Sequence, residues 1–578
     1  MQYVTKEMLK DSGKMDMAAK AFSAVMGCVP LQYFGRRIYS LVSCYLLFKE
    51  AESRVASDGE EVYVNPLALN YAEEALPGEG RDKMLALLDT YPAEAFALAL
   101  FTPFEEKILD FAAWSTPQSL SDLALKILDV NASDKVADIC CGVGSFLLTA
   151  SGEVPEASYS GFDVSPDCNV IASLRSELLG RNIDFSLTNA FDLVLSGSQE
   201  RKFSKIFSNY PLGLGMRGLG DGKALPERLE AKYPWISRST SSDWIFNSMV
   251  CDLLEEDGKA VVLMTNGSLW NTTDRLVRKH FIEEGLVEAV IGMPNSILPY
   301  TNVGVSMLVF SHGNEYVRII DASSWSQSGR RVSTFSTEDV DNIVEAFSKD
   351  GQHSCLVPVE DLADNDYRLN VERYLVGTIH FENGKPFSSV IKRITRGAPC
   401  NAKELDEMSS DVPTDIQYLM LANIRKGQID SDLPYLKDLN PKYEKYCVST
   451  NNLILSKNGF PYKVAIPTVG EGKRILANGN LYIIEVDEEK ANPYYLKAFF
   501  ESEQGIAALK SITVGTAMLN IGVEDLKNLE IPVPSLEVQN RIALKYLAKL
   551  DEIKILQMSL DKAEMELANI FNEEADLG

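Results

Sequence analysis

A chain of 578 residues exceeds what one hydrophobic core fills, so length alone predicts three or four domains. With 46% hydrophobic and 24% charged residues it has the composition of a soluble globular protein, and apolar runs such as 41–48 and 260–264 fall far short of a bilayer's thickness. Lys and Arg number 56 against 82 Asp and Glu; the resulting charge of −26 confines any affinity for a polyanion to a local basic surface.

The amino terminus lacks a basic-then-apolar leader, and nine cysteines without a CxxC pair predict free thiols in a reducing cytoplasm, away from any membrane. Residues 1–114 predict a helical domain, with apolar residues at three- and four-residue spacing in 39–50 and 81–88. Residues 119–128 predict a further amphipathic helix. From Val136 short apolar strands alternate with helices: strands at 136–140, 159–163, 183–187, 205–209, 260–265, 289–293 and 306–310, helices at 166–179 and 241–254. Such alternation predicts an α/β domain over 115–378 with a doubly wound, Rossmann-like, mostly parallel sheet. Residues 379–535 predict a mixed α+β domain, with short strands at 453–456 and 481–486 between Gly, Asn and Pro. Residues 536–578 predict one long helix, because Leu547, Leu550, Ile553, Leu560, Ala563, Leu567 and Ile570 recur at threes and fours, as pairing along its length requires.

Asp138-Ile139-Cys140-Cys141-Gly142-Val143-Gly144-Ser145-Phe146 predicts a strand entering a glycine turn that opens a helix. Gly142 and Gly144 permit close backbone approach, a geometry that suits nucleoside cofactors generally. Asp163, about 21 residues beyond Gly142 at the end of the next strand, is placed to accept ribose hydroxyls. The missing third glycine disfavours nicotinamide dinucleotides, and no GxxxxGK[ST] loop is present for ATP. Cys140 and Cys141 read as small buried side chains rather than nucleophiles. The four histidines have no metal-ligand spacing, so no metal is expected.

Thr116-Pro117-Gln118, the 138–146 turn, Asp163 and Asn209-Tyr210-Pro211-Leu212 follow the order seen in amino-methyltransferases of DNA. The segments 257–269, 290–294 and 302–306 more closely resemble the methylation subunits of type I restriction-modification systems. The resemblance implies an adenine-N6 DNA methyltransferase that uses S-adenosyl-L-methionine and acts on a flipped adenine. It implies cofactor contacts from Thr116, Pro117, Asp138, Cys140, Gly142, Gly144, Ser145, Phe146, Asp163, Asn189 and Asp192. It also implies that the Asn209 side-chain oxygen and the Tyr210 carbonyl receive the adenine amine, with Pro211 holding the bend and Leu212 beside it. Here the chain departs from the family's Asn-Pro-Pro-Phe/Tyr: Tyr210 replaces the first proline and Leu212 the aromatic that stacks on the base. Asn189 stands where the family commonly has an acid. These departures sustain an alternative, a catalytically impaired cofactor- and DNA-binding recognition protein in a defence or regulatory complex.

The pieces 389–394, 423–427, 452–459 and 531–539 resemble one target-recognition half of a type I specificity subunit. Between Lys385 and Lys463 basic residues slightly outnumber acidic ones. Lys392, Arg393, Arg396, Arg425, Lys426 and Lys457 are the candidates for contact with double-stranded DNA. A single recognition half implies a homodimer formed through the terminal helix on a split, symmetric target. No nuclease or translocase motif is found, so restriction activity is expected from a separate subunit.

Overall fold

The computed structural model of the chain describes residues 2–29, 36–56, 61–75, 78–102, 115–196, 202–214, 224–325, 327–328, 333–375, 381, 383–514 and 519–575. It divides into two compact units, Met1–Val371 and Glu372–Gly578.

The first unit opens with helices, among them α1 (Ser12–Cys28), α2 (Arg36–Val55) and α3 (Ala93–Ala99). Helix α4 (Gln118–Leu128) follows, burying Leu120, Leu123, Ala124, Ile127 and Leu128 along one stripe and ending at Asp129 in the left-handed region. A nine-stranded sheet comes next: β1 (Lys135–Ile139), β2 (Ser158–Asp163), β3 (Asp184–Leu187), β4 (Phe203–Ser208), β5 (Leu254–Thr265), β6 (Val287–Gly292), β7 (Val305–Phe310), β8 (Tyr316–Asp321) and β9 (Ser354–Pro358). Their spatial order is β9-β8-β6-β7-β5-β4-β1-β2-β3. All seven strands expected from sequence are in it; β8 and β9 extend one side.

Strand β1 pairs parallel with both β2 and β4, and β4 parallel with β5. Strand β7 runs antiparallel between β5 and β6, and β9 antiparallel on β8. Chain order therefore reverses between β1 and β4, which opens a crevice at the carboxyl ends of those strands. Helices α5 (Ser145–Glu153), α6 (Pro166–Leu178) and α7 (Ser242–Leu253) follow β1, β2 and β4. Ser165 caps α6 by accepting the Cys168 N–H, with Pro166 in the first turn. Ile171 and Leu174 of α6 share one core with Phe22, Leu41, Tyr45 and Phe96, so the amino-terminal helices close directly over the sheet's flank. At that junction the buried Lys49 ammonium lies 3.0 Å from Glu177, which also accepts the Tyr45 hydroxyl. The paired carboxylate offsets the cost of burying that charge.

The second unit contains two four-stranded sheets. Strands β10 (Ile391–Arg396), β11 (Ser409–Ser410), β12 (Ile416–Leu419), β13 (Tyr435–Leu436), β14 (Leu453–Ser456), β15 (Val464–Ala465), β16 (Arg474–Ala477) and β17 (Leu481–Val486) supply them. Their orders are β10-β17-β14-β15 and β11-β13-β12-β16. Helix α8 (Pro493–Phe500) packs against the start of α9 (Leu536–Ala575), a single helix of 40 residues. Gln539 accepts the Asn492 N–H and Tyr546 accepts from Lys497, fixing the first turns of α9. No helix among the described residues is long and apolar enough to cross a membrane.

Candidate active site

The glycine turn sits at the carboxyl end of β1. Cys140, Gly142 and Gly144 have φ of +65°, +53° and +77°, a conformation that L side chains rarely adopt. A Cβ on Gly144 would stand 2.9 Å from Cζ of Phe185, so space as well as conformation demands glycine there. Asp163 closes the turn from the end of β2: its Oδ2 accepts the Gly142 N–H at 2.8 Å and its Oδ1 the Ser165 N–H at 2.9 Å. Each oxygen retains a second lone pair. Asp138 is 2% exposed, and its Oδ1 has no partner among the described residues. Burial, aided by the neighbouring Asp163, drives its carboxyl far above the usual carboxylate range. Burial likewise keeps the Cys140 and Cys141 thiols protonated. An unsatisfied buried acceptor beside a closely approachable backbone fits a polar, nucleoside-bearing ligand.

The remaining cofactor candidates surround the turn at different depths. The Ser145 hydroxyl meets that of Ser115 at 3.0 Å, laying the Thr116–Pro117 segment against the first turn of α5. Phe146 is fully buried and stacks on Phe207 at 4.4 Å, so its ring belongs to the core. Asn189 is exposed beyond β3, and its side-chain oxygen accepts the Phe191 N–H; Asp192 is exposed at the start of a one-turn helix.

Asn209 follows β4 directly, at the same end of the sheet as the glycine turn. Its Nδ2 donates to the Thr116 hydroxyl at 3.3 Å, while its Oδ1 is buried without a partner among the described residues. Tyr210 is fully buried; its ring lies 4.8 Å from Phe246 at 9° and its hydroxyl donates to Asn247 at 2.8 Å. That ring is therefore unavailable for stacking on a base. Pro211 is exposed, and Leu212 is half-buried against the sheet's core.

Sequence reasoning missed several residues around Asn209. Tyr300, in the loop between β6 and β7, lies beside the Asn209 carboxamide; burial raises its phenol to about 12, with that carboxamide acting in the opposite direction. The buried Asp243 accepts the Gly213 N–H at 3.3 Å and the Thr265 N–H at 2.9 Å. No local motif marks Tyr300, whereas Asp243, Phe246 and Asn247 have the i, i+3, i+4 spacing of one helix face. Among the described residues, no three His, Cys, Asp or Glu side chains are grouped to hold a metal ion.

The six basic candidates of the second unit fall into two places. Lys392, Arg393 and Arg396 are exposed on β10, where Arg393 pairs with Glu485 at 3.4 Å and Arg396 donates to the Gly479 carbonyl. Lys457 lies near Arg396, and burial together with that guanidinium lowers its pKa. Arg425 and Lys426 stand on a separate hairpin, Arg425 facing Asp430 and Lys426 donating to Gln557 of α9.

The strand order, the reversed β7 and the site at the carboxyl ends of β1, β2 and β4 define a class I methyltransferase sheet. Residues 105–382 match the N-6 DNA Methylase family, and residues 415–565 match the Type I restriction modification DNA specificity domain. The chain thus joins a domain of the N6-adenine DNA methyltransferase family to a specificity-type domain.

Its relatives include the methylase subunit of the type I restriction enzyme MpnII from Mycoplasma pneumoniae, 22% identical over 45% of this chain and 52% of the relative. The methylase subunit of the type I restriction enzyme MjaVIII from Methanocaldococcus jannaschii is also 22% identical, over 45% of this chain and 49% of the relative. The chain spans about half the length of these curated relatives. Among solved structures, the type I restriction-modification methyltransferase subunit from Streptococcus thermophilus aligns with a TM-score of 0.47 and 16% identity, over 62% of this chain and 98% of that one.

Proposed function

We propose that the chain is a sequence-specific adenine-N6 DNA methyltransferase of a type I-like restriction-modification system, working in the cytoplasm. The observation that carries this reading is the Asn209 carboxamide, whose nitrogen is held by Thr116 while its oxygen remains unpartnered at the carboxyl end of β4. An oriented, unsatisfied acceptor suits an exocyclic amine. Adenine N6 is a weak nucleophile because its lone pair is delocalised into the ring. Acceptance of its protons by Asn209 Oδ1 and the Tyr210 carbonyl draws the nitrogen toward tetrahedral geometry and localises that lone pair. Positioning and electrostatics suffice for this activation. Reaching the amine requires the base to leave the duplex, at a cost of a few kcal/mol.

S-adenosyl-L-methionine supplies the methyl group when bound. Gly142 and Gly144 admit its close approach, the free lone pairs of Asp163 accept ribose hydroxyls, and the unpartnered Asp138 oxygen accepts from the ligand's polar groups. Ser145, the Thr116–Pro117 segment, Asn189 and Asp192 form the rim. The second unit reads double-stranded DNA through the Arg396–Lys457 pair and its neighbours, and two copies associate through α9. Restriction comes from a separate subunit. All nine cysteines are free, in keeping with a reducing compartment.

The second reading, an impaired recognition protein, draws on Tyr210 and Leu212: the first is buried and the second aliphatic, so the tetrapeptide offers no aromatic face to the base. Labelled S-adenosylmethionine with mixed-sequence duplex DNA separates the two. Incorporation by the wild type that disappears in Asn209→Ala supports methyl transfer; DNA binding without incorporation supports the recognition protein.

A further inference from the structure

The loop that carries Asn209 lacks the rigid element that its family pattern would provide. Tyr210 occupies the place of the first proline, and a non-proline residue leaves φ free. In the fold, however, that residue is fully buried. Phe246 stacks on its ring at 4.8 Å and 9°, and the Asn247 side-chain oxygen accepts its hydroxyl at 2.8 Å inside the core. Phe191, after β3, lies 5.1 Å from Phe246. Three residues further on, Gly213 N–H donates to Asp243 Oδ1 at 3.3 Å. The opposite oxygen of Asp243 accepts the Thr265 N–H at 2.9 Å and the hydroxyls of Thr265 and Ser268, which anchors it to the exit of β5. Asp243 is fully buried, as is Asn247.

Asp243, Phe246 and Asn247 belong to α7, at spacings that place them on one face. They grip the segment at both ends: at the residue after Asn209 and at the glycine that closes the bend. A buried hydroxyl–carboxamide bond fixes the ring's register as well as its depth, because leaving either partner unmatched is costly.

We propose that α7 is a clamp that sets the position of the Asn209 carboxamide, with Asp243, Phe246 and Asn247 as positioning residues supplying the rigidity that a proline at position 210 would otherwise give. The proposal rests on the reading that Asn209 receives the target amine. It assigns Tyr210 a second role: its carbonyl faces the base while its side chain is the handle by which the helix holds the loop. The departure from the family pattern thus has a compensating contact in the same molecule.

The test uses the full chain with three variants: Asn247→Leu, Tyr210→Phe, and the two combined. Asn247→Leu alone leaves a buried hydroxyl unmatched and lowers thermal stability. The double variant replaces both polar partners by apolar ones, a change that is close to neutral for folding. Methyl transfer is followed with labelled S-adenosylmethionine and mixed-sequence duplex DNA, and amide hydrogen exchange is followed over 209–213. A clamp predicts that the double variant melts near the wild type, keeps KM for both ligands within about twofold, loses about tenfold in kcat, and exchanges faster in that segment. A double variant with wild-type kcat and wild-type exchange, or one whose kcat tracks only its folded fraction, overturns the proposal. Should the wild type itself transfer no methyl, the reading of the activity fails, and unaltered exchange in the double variant would then overturn the clamp independently.

Discussion

The Asn209 carboxamide is tied to the Thr116 hydroxyl at 3.3 Å, which joins the loop after β4 to the segment that precedes α4. Ser115, one residue earlier, touches Ser145 at the first turn of α5. A single short segment therefore spans the glycine turn and the candidate base site. On the proposed reading, that segment holds the cofactor half and the base half of the site in register.

Thr116→Val tests that tie. The change keeps the side chain's shape and removes the Thr116 acceptor, so Nδ2 loses that bond, with Tyr300 left beside it, and the carboxamide is less firmly oriented. A neutral hydrogen bond of this kind contributes about 0.5–1.5 kcal/mol, or about two- to twelvefold in rate. The expected outcome is a fall of that size in kcat with thermal stability nearly unchanged, measured by methyl incorporation and a melting scan. An unaltered kcat would show that the oxygen of Asn209 is oriented by other contacts.

Much of this arrangement was legible from sequence, and what was not has physical causes. Strands β1 to β7 were recognisable because short segments rich in apolar residues alternate there with helical patterns and turn residues. Strand β8 was missed; its Arg318 is nearly buried and pairs with Asp350 at 2.5 Å, a partner that only the folded chain supplies. Strand β9 is a short edge that runs into Pro358. The glycine turn and Asn209 announced themselves through local spacing. Tyr300, Asp243, Phe246 and Asn247 did not, since Tyr300 meets Asn209, and the other three meet Tyr210 or Gly213, only when the loop before β7 and helix α7 are assembled around β4. The tertiary path of the chain, rather than any motif, brings them there.

Asp138 makes stability depend on pH in a definite direction. Its folded pKa lies well above the unfolded value, chiefly through burial and secondarily through Asp163. The native state then holds a proton that the unfolded chain releases, so stability is undiminished below the ordinary aspartate pKa and declines as pH rises toward the folded value. Asp138→Asn removes this penalty while keeping the shape. In the absence of ligand, the melting temperature of the variant should exceed that of the wild type by a margin that widens between pH 4 and pH 8. A margin that is constant with pH would mean that Asp138 ionises normally in the fold.

Arg396 and Lys457 crowd two positive charges on one part of the second unit, and the lowered pKa of Lys457 records both its burial and that repulsion. A phosphate placed between them would relieve it. Each phosphate contact contributes about 0.9 to the slope of log affinity against log salt. Arg396→Ala with Lys457→Ala should therefore flatten the slope by about 1.8 for mixed-sequence duplex, with weaker binding at low salt. The paired variant Arg425→Ala with Lys426→Ala, on the other hairpin, provides the comparison. An unchanged slope in the first pair would remove these residues from the DNA-facing surface.

Helix α9 carries the last prediction. Its first turns are fixed by Gln539 and Tyr546, and Ala543 is buried. Further along, Ile553, Leu556, Leu560 and Leu567 are each more than half exposed, and their spacings of three, four and seven residues form a continuous seam. At 1.5 Å per residue the helix is about 60 Å long, and an isolated helix bearing such a seam gains little from its own side chains in water. Burying each leucine or isoleucine against a partner is worth about 1.5–3 kcal/mol, enough over four positions and two copies to hold a dimer at micromolar concentration. Replacing Ile553, Leu560 and Leu567 by Asp should shift the full chain from dimer to monomer in sedimentation at matched concentration. Binding to a half-length DNA duplex should survive, because the recognition sheets lie outside the substituted turns. A wild-type chain that sediments as a monomer at all concentrations would instead leave the seam for a different polypeptide, and the split, two-fold target would go with it.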